Sequence, residues 1–470
     1  MPHDLVFRGA LVLDGTGAPA FPADVAVDGG RITAIGTVTG SAREEITADG
    51  LALSPGFIDV HTHDDFALRS SPDMAFKTLQ GVTTVVTGNC GTSAVPFVEW
   101  LDGLRGRPAA VNVAALIGHG SVREHVMGRS EARAATGAEM TRMSDMVAEA
   151  MDAGAVGMST GLVYEPGRYS PTEEVVELAV TVGERGGIYT THMRNERDGL
   201  VDSIEETLLI GRLAGVKLQV SHLKAIGAEN FSLAEVAVAR INDARRAGID
   251  VMADQYPYTR GSTALGQLVS AGAFDGPSPF GFVEAPDVLI ASAPRHPGWE
   301  GLTLDNVAAS LGLDGPSAAR HLVHEEGNLC MIIYANQSES NVEMIMREEF
   351  VMIGSDGVPA GSNPHPRLHH TFPRVLGEYC RDRGIIDLPT AVHKMTGMAS
   401  ARFGLSDRGT ITTGSFADLV LFDPAAVRDT GTYEHPTSAP VGFFGTWVNG
   451  QQVASGTSST SARAGAVLTL

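Results

Sequence analysis

The sequence predicts an α/β protein: a TIM-like (β/α)8 barrel with a small β-sandwich domain formed from both termini. Apolar, strand-like runs alternate with helical patterns over roughly 350 residues, which is typical of a parallel sheet covered by helices. Both ends of the chain have an alternating β pattern instead. Imidazole, thiol and carboxylate side chains follow several predicted strands, at the end where barrels carry their chemistry.

Chain length, net charge and cysteine content limit the possible classes of protein. The chain has 470 residues, which fits a barrel of about 250 residues or more plus a smaller domain. Its formal net charge of −21 disfavours nucleic acid and anionic membranes as partners, because both attract basic surfaces. We expect no signal peptide, because residues 1–8 contain no basic region followed by an apolar stretch, and no membrane span, because no apolar run reaches about 18 residues. Three cysteines, Cys90, Cys330 and Cys380, favour a reducing cytoplasm over a disulfide framework.

The two ends are interpreted as one β-sandwich domain, divided into residues 1–53 and 407–470. Near the start, Asp28-Gly29-Gly30 separates two alternating runs and predicts a hairpin. Near the end, Asn449-Gly450 predicts a second hairpin. The catalytic barrel then covers residues 54–406.

The barrel strands are predicted from apolar runs, and residues 51–60 are interpreted as the first of them. The predicted strand ends lie near His61, Gly88, Gly118, Thr160, Thr191, His222, Gln255 and Asp356. One further apolar run, at residues 329–334, gives nine candidates for eight places. It falls in a long stretch, about 262–348, that we predict to be an insertion and a candidate lid.

Two helix starts are predicted from capping residues. Ser170 followed by Pro171 is typical of a cap and a first-position proline. Ser232 followed by Glu235 predicts a capping box.

Ligand-type side chains gather at five of the predicted strand ends. His61 and His63 face the same side because alternate residues of a strand do so. A lone buried histidine or cysteine is more often structural, and His119 illustrates this because it too follows an apolar strand. The six residues together are stronger evidence for a metal site than any one of them alone. Their mixture of imidazole, thiolate and carboxylate side chains suits zinc. The members are His61, His63, Cys90, His192, His222 and Asp356.

On these residues the sequence resembles the amidohydrolase superfamily and, within it, the N-acyl-D-amino-acid deacylases, over nearly the whole chain. His-x-His at 61–63 and Ser-Asp-Gly at 355–357 are superfamily-wide. More specific to the deacylases are Gly-Asn-Cys-Gly at 88–91, Ser-His-Leu-Lys at 221–224 and His-Pro-Arg at 365–367. None of the four lysines lies near the fourth strand, so a metal-bridging carbamylated lysine is not expected there.

The resemblance implies one tight zinc held by Cys90, His192 and His222. A second, weaker position would consist of His61, His63 and Asp356. It also implies a metal-activated water with Asp356 as general base and later general acid. Tyr164 or His63 would donate to the developing oxyanion, and packing at the strand end is the equal alternative for Tyr164.

The expected substrate is a small molecule with a carboxylate. Arg367 suits bidentate carboxylate binding, and Lys224 shares a strand side with His222, although a surface position is its alternative. By resemblance, Tyr256 and Ser262 complete this site. The implied reaction is hydrolysis of N-acyl-D-amino acids to a carboxylate and a free D-amino acid.

Side-chain preference and two alternative functions stay open. Arg260 and Arg295 are candidate cations for an acidic side chain, but the composition of the insertion favours hydrophobic or broad specificity. One alternative is another zinc amidohydrolase: a dipeptidase, a cyclic-amide hydrolase or a deaminase. The other is a non-catalytic binding relative.

Overall fold

The computed structural model describes residues 2–129 and 131–470. Its strands form three sheets: a terminal sheet, a barrel sheet and a small sheet in the insertion. The strands are β1 (His3–Val12), β2 (Phe21–Asp28), β3 (Arg31–Gly36), β4 (Ala42–Thr47), β5 (Ala52–Pro55), β6 (Phe57–Asp59), β7 (Val82–Thr87), β8 (Asn112–Gly118), β9 (Gly157–Gly161), β10 (Ile188–His192), β11 (Lys217–Val220), β12 (Val251–Gln255), β13 (Arg260–Ala264), β14 (Leu289–Ser292), β15 (Met331–Ala335), β16 (Val351–Ile353), β17 (Leu419–Phe422), β18 (Phe443–Val448), β19 (Gln451–Ser455), β20 (Ser458–Ser459) and β21 (Val467–Leu468).

Helices connect and cover these strands. The α-helices are α1 (Ala67–Ser70), α2 (Ala75–Thr78), α3 (Phe97–Gly106), α4 (His119–Met127), α5 (Gly137–Asp152), α6 (Thr172–Gly183), α7 (Leu200–Ala214), α8 (Leu233–Arg246), α9 (Leu265–Ser270), α10 (Leu304–Leu311), α11 (Gly315–Glu326), α12 (Glu339–Arg347), α13 (Arg367–Arg374), α14 (Leu388–Met395) and α15 (Gly397–Phe403). A π-helical stretch, Val375–Asp382, continues α13. Short 3-10 turns lie at Gly167–Tyr169, Ala228–Asn230, Ala285–Asp287, Pro297–Trp299 and Gly327–Leu329. Across the described ranges, no helix combines the length and apolar character that crossing a bilayer requires.

The terminal sheet joins strands from both ends of the chain, in the order β20-β19-β18-β17-β5-β1-β2-β3, with β4 beside β1. Both predicted hairpins are confirmed: β2 pairs with β3 across Gly29 and Gly30, and β18 pairs with β19 across Asn449 and Gly450. These four turn residues all have positive φ, as a two-residue hairpin turn requires. Edge-to-face packing of Phe7 on Trp447, 4.9 Å apart, ties the two termini together in the core of this sheet.

The barrel sheet contains eight parallel strands in the order β16-β12-β11-β10-β9-β8-β7-β6, with β21 beside β8. The first and last strands meet through a parallel bridge between Thr62 and Gly357, which brings the ends of β6 and β16 together. All eight predicted strand ends are confirmed to within a few residues. Parallel alignment therefore places the residues that follow these strands around one mouth.

The interpretation of residues 51–60 as one barrel strand is wrong. The run forms two strands in different sheets: β5 pairs with β1 and β17 in the terminal sheet, and β6 pairs with β7 in the barrel. Gly56 lies at the crossing, where an added Cβ would lie 2.1 Å from Cγ2 of Thr83. Because both strands are buried, the sequence is apolar throughout, and it gives no signal of where one strand ends and the next begins.

The insertion has a hydrophobic core of its own around Leu268, Ile290 and Ile332. Its strands form the antiparallel sheet β13-β15-β14. The ninth apolar run is β15 of this sheet, which resolves the excess of candidates for the barrel.

Neither predicted capping interaction forms. Pro171, not Ser170, occupies the N-cap of α6, and the Ser170 hydroxyl donates to the Gly167 carbonyl instead, at 2.6 Å. Ser232 precedes α8 but already has helical φ and ψ, so its side chain caps no backbone N–H. A 3-10 turn just before it explains this conformation.

Candidate metal centre

A cavity of about 480 Å³ opens at the carboxyl ends of the barrel strands. Its walls come from the barrel loops and from the insertion. Of the predicted site residues, His61 alone is absent from the described lining. The others are His63, Cys90, Tyr164, His192, His222, Lys224, Tyr256, Ser262, Asp356 and Arg367.

Three of these residues have left-handed backbone conformations just beyond their strands. Cys90, His222 and Asp356 have φ of 53°, 36° and 51°. This region costs a non-glycine residue roughly 1 kcal/mol or more, so surrounding contacts must hold it. Asp254 accepts from the His222 backbone N–H at 2.8 Å, and Asp356 N–H donates to the His61 carbonyl at 2.8 Å. Sharp turns of this kind direct each side chain into the cavity.

Cys90 faces three imidazoles. Its Sγ lies 3.3 Å from Nε2 of His61, 3.7 Å from Nδ1 of His192 and 3.6 Å from Nε2 of His222. Ligands of a tetrahedral zinc, with Zn–S near 2.3 Å and Zn–N near 2.0 Å, lie about 3.5 Å apart. The spacing and the chemistry of these donors therefore fit a zinc ion.

His61, His63 and Asp356, the predicted second group, lie close together, whereas the close group around Cys90 contains His61 and His222 rather than His192 and His222. Asp356 Oδ1 lies 3.1 Å from Nε2 of His63 and 3.5 Å from Nε2 of His61. His61 therefore belongs to both groups, one with Cys90 and His222 and one with His63 and Asp356. A shared imidazole places the two positions side by side.

Burial and neighbouring charges have opposite effects on the pKa values of Cys90 and Asp356. Burial alone raises the pKa of Cys90, but the facing imidazoles, His61 first, hold the pKa of this thiol well below its usual range. Burial likewise raises the pKa of Asp356, and the charges of Arg367 and His61 outweigh it and hold that pKa well below its usual range. Both groups are therefore anionic at neutral pH, which is the form that binds a metal.

Sequence reasoning missed two buried carboxylates behind the imidazoles. Asp254 Oδ1 lies 3.1 Å from Nδ1 of His61. Glu196 lies 3.0 Å from Nδ1 of His222 and 3.4 Å from Nε2 of His192. An acid inside the apolar strand β12, and the four-residue spacing from His192 to Glu196, were the available signals.

Lys224 does not lie on the surface. It is 4% exposed, and its Nζ lies 2.7 Å from Glu196 Oε2 and 2.8 Å from Nδ1 of His222. Burial raises the pKa of Glu196, but Lys224 and the two imidazoles lower it to about 2. The candidate metal ligands His192 and His222 and this lysine therefore share one carboxylate.

Arg367 is fully buried and lies between the metal centre and the insertion. Its NH1 pairs with Asp356 Oδ2 at 2.9 Å, and its NH2 donates to the Ser262 carbonyl at 3.3 Å. Its guanidinium carbon lies 4.5 Å above the centre of the Tyr256 ring, and Lys224 Nζ lies 6.0 Å from the same ring. The four residues predicted to bind substrate thus form one wall of the cavity.

Tyr164 packs against His192 with ring centres 4.7 Å apart, and Phe280 of the insertion stacks on Tyr164 at 6.0 Å. Burial and the charge of Cys90 raise the pKa of this phenol well above its usual value. The hydroxyl therefore stays protonated and able to donate.

Comparison with known proteins agrees with this geometry. The profile of the Amidohydrolase family matches residues 44–182 and 326–454. The D-aminoacylase of Alcaligenes xylosoxydans xylosoxydans is 42% identical, and the alignment covers 99% of this chain and 98% of that protein. The N-acyl-D-aspartate deacylase of the same organism is 39% identical, over 99% of this chain and 95% of that one.

Solved structures give the same relationship. A crystal structure of D-aminoacylase, described as defining a novel subset of amidohydrolases, superposes with a TM-score of 0.91 at 40% identity and full coverage of both chains. N-acyl-D-glutamate deacylase from Bordetella bronchiseptica, complexed with zinc and a phosphonate mimic of the tetrahedral intermediate, gives 0.91 at 37% identity, again over both full chains. The L-hydantoinase of Arthrobacter aurescens, at 17% identity, full coverage of both chains and a TM-score of 0.64, shares the fold. Full-length similarity and the thiolate–imidazole centre lead to one conclusion: the chain belongs to the amidohydrolase family and, within it, to the N-acyl-D-amino-acid deacylases.

Proposed function

We propose that this protein is a zinc-dependent hydrolase that cleaves the amide bond of N-acyl-D-amino acids into a carboxylate and a free D-amino acid. The observation that carries the proposal is the placement of Cys90 against three imidazoles beside the Asp356–Arg367 pair. That centre occurs in a chain whose relatives of similar length are deacylases of N-acyl-D-amino acids.

The tight metal position is assigned to Cys90, His192 and His222, and the weaker one to His61, His63 and Asp356. When bound, zinc acts as a Lewis acid that polarises the scissile carbonyl and makes water more acidic. Cys90 supplies the anionic ligand that neutralises part of the metal charge. Asp254 and Glu196 hold the ring nitrogens that face away from the metal positions.

Asp356 is assigned the proton transfers. Its Oδ1 lies among the imidazoles of His61 and His63, and its Oδ2 is held by Arg367, so the carboxylate cannot turn away. Because it is ionised, it accepts the proton of the attacking water and then delivers that proton to the leaving amine nitrogen. Tyr164, a protonated phenol beside His192, is assigned as donor to the developing oxyanion, with His63 as the second candidate.

The α-carboxylate of the substrate is assigned to the wall formed by Arg367, Lys224, Tyr256 and Ser262. Arg367 provides planar N–H donors that match a carboxylate, and Tyr256 lies under its guanidinium. Both cations are paired within the protein, Arg367 with Asp356 and Lys224 with Glu196. The substrate carboxylate therefore joins an existing charge network rather than two isolated cations.

We infer a hydrophobic or broad preference for the substrate side chain. Val163, Phe280, Met331 and Tyr334 provide apolar wall near the insertion. The two arginines considered for an acidic side chain do not line the described cavity: the Arg260 guanidinium lies over Tyr433 at 4.8 Å, and Arg295 donates to the Glu325 carbonyl at 2.5 Å.

We also infer a small-molecule substrate, no nucleic-acid partner and a cytoplasmic location. The net charge of −21 opposes binding to polyanions. Cys90, Cys330 and Cys380 are all free thiols, which a reducing compartment preserves.

The test is Asp356→Asn. This change keeps the size of the side chain but removes the proton acceptor, so we expect kcat to fall by about 1,000-fold or more while the tight zinc remains bound. Release of free amine from an N-acyl-D-amino acid and zinc content per chain are the two readouts. Substantial residual activity in the zinc-loaded variant would show that another residue acts as the base.

A further inference from the structure

One carboxylate, that of Glu196, contacts both imidazoles of the tight metal position from behind. Its Oε1 lies 3.0 Å from Nδ1 of His222, and its Oε2 lies 3.4 Å from Nε2 of His192. Glu196 is 2% exposed and comes from the loop after β10, four residues beyond His192.

The two imidazoles present opposite nitrogens to Cys90. His192 turns Nδ1 towards the thiol and Nε2 towards Glu196, whereas His222 turns Nε2 towards the thiol and Nδ1 towards Glu196. One buried carboxylate therefore lies beside opposite nitrogens of the two rings, Nε2 of His192 and Nδ1 of His222, and holds both rings from behind.

Lys224 completes the arrangement. Glu196, His192 and His222 together form a third set of atoms close enough to hold a cation. The Lys224 ammonium already occupies this space, since Nζ lies within 2.8 Å of Glu196 and of Nδ1 of His222. The ammonium balances the carboxylate and leaves no room for a metal on this side of the rings.

We propose that Glu196 is the positioning residue of the metal centre. It holds His192 with Nδ1 and His222 with Nε2 turned towards the same ion, while the Lys224 ammonium bridges Glu196 and His222 and confines the metal to the cavity side. This inference rests on the proposed zinc centre, but it concerns metal binding and is tested without turnover.

The first test compares zinc affinity, by competition with a chromophoric chelator, in the wild type, Glu196→Gln, Glu196→Asp and Glu174→Gln. Glu174 is a matched control because it is also buried and pairs with a histidine and an arginine, His119 and Arg123, outside the cavity. We expect Glu196→Gln to raise the zinc dissociation constant about 10- to 100-fold, and Glu196→Asp to restore part of the loss. Glu174→Gln should leave the dissociation constant within about twofold of the wild type.

The second test needs no substitution. In zinc-loaded protein labelled with ¹⁵N-histidine, long-range ¹H–¹⁵N correlation should show His192 bound through Nδ1 and His222 bound through Nε2. Zinc binding through the same nitrogen in both rings, or unchanged zinc affinity in Glu196→Gln, overturns the inference while leaving the proposed function intact. A wild type that binds no zinc removes the proposed metal centre, and this inference with it.

Discussion

At the scale of single residues, strained backbone and buried charge occur together. Cys90, His222 and Asp356 leave their strands in left-handed conformations, and each is buried beside an oppositely charged or hydrogen-bonding neighbour. Such strain persists only where the surroundings impose it, and it concentrates at functional sites. The fold therefore holds the candidate donors of the proposed metal centre in place.

We expect the proposed metal centre to depend strongly on Cys90, its candidate thiolate ligand. In Cys90→Ser a neutral hydroxyl replaces the thiolate, so we expect less than about a tenth of the wild-type zinc after dialysis. The melting temperature should then no longer fall when a chelator is added, because there is no bound metal to lose.

Cys380→Ser is the control for this substitution, since Cys380 is half-buried and does not line the cavity. It should keep its zinc and its chelator-dependent melting temperature. Full zinc content in Cys90→Ser would exclude Cys90 as a ligand.

The sequence predicted residues that follow strands better than residues that support them. His61, Cys90, His222 and Asp356 stand out because each follows an apolar run. Glu196 lies in a loop, and its contacts depend on how two rings turn across β10 and β11, which no periodicity encodes. The ion pairs of Lys224 and Arg367 were missed for the same reason.

At the scale of elements, the passage from the terminal sheet to the barrel occurs at one residue. Gly56 separates β5 from β6, and its neighbour Thr83 leaves no space for a side chain. Strand β5 is held by β17 while β6 is held by β7, so the backbone cannot shift away without loss of pairing on one side.

We expect Gly56→Ala to reduce the free energy of unfolding by about 2 kcal/mol or more, because the methyl group overpacks against Thr83. Urea denaturation of the metal-free protein measures this directly. Gly106→Ala is the control: Gly106 ends α3, and nothing lies within 4 Å of an added Cβ. If Gly56→Ala lowers the free energy of unfolding no more than Gly106→Ala does, Gly56 is not tightly packed against Thr83.

Elements were predicted well in type and less well in detail. Buried parallel strands of apolar residues and Gly-containing hairpins are local signals, so the eight barrel strands and two hairpins were found. The division at Gly56 depends on pairing with β17, more than 360 residues away in the chain. The cap at Ser232 failed because that residue already has helical φ and ψ, and the cap at Ser170 failed because its hydroxyl donates to the Gly167 carbonyl instead.

At the scale of the whole molecule, the three largest hydrophobic cores of the described residues have separate roles. The barrel aligns the metal donors, the terminal sheet joins the two ends of the chain, and the insertion contributes Ser262 and Phe280 to the cavity wall. We propose that these cores correspond to a barrel at residues 54–406 with an insertion at about 262–348, and a terminal domain at residues 1–53 and 407–470. Alternation of elements predicted this architecture, whereas stereochemical preference came from resemblance alone.

Paired hydrolysis of N-acetyl-D- and N-acetyl-L-amino acids by the zinc-loaded protein tests the central claim most directly. Leucine, methionine, phenylalanine and glutamate derivatives, followed by release of free amine, compare stereochemistry and side-chain class in one experiment. We predict turnover of the D-forms with kcat/KM at least about 100-fold above the L-forms, and the apolar D-side chains ahead of D-glutamate. Equal turnover of both forms, or none of either with zinc bound, would contradict the assignment as an N-acyl-D-amino-acid deacylase.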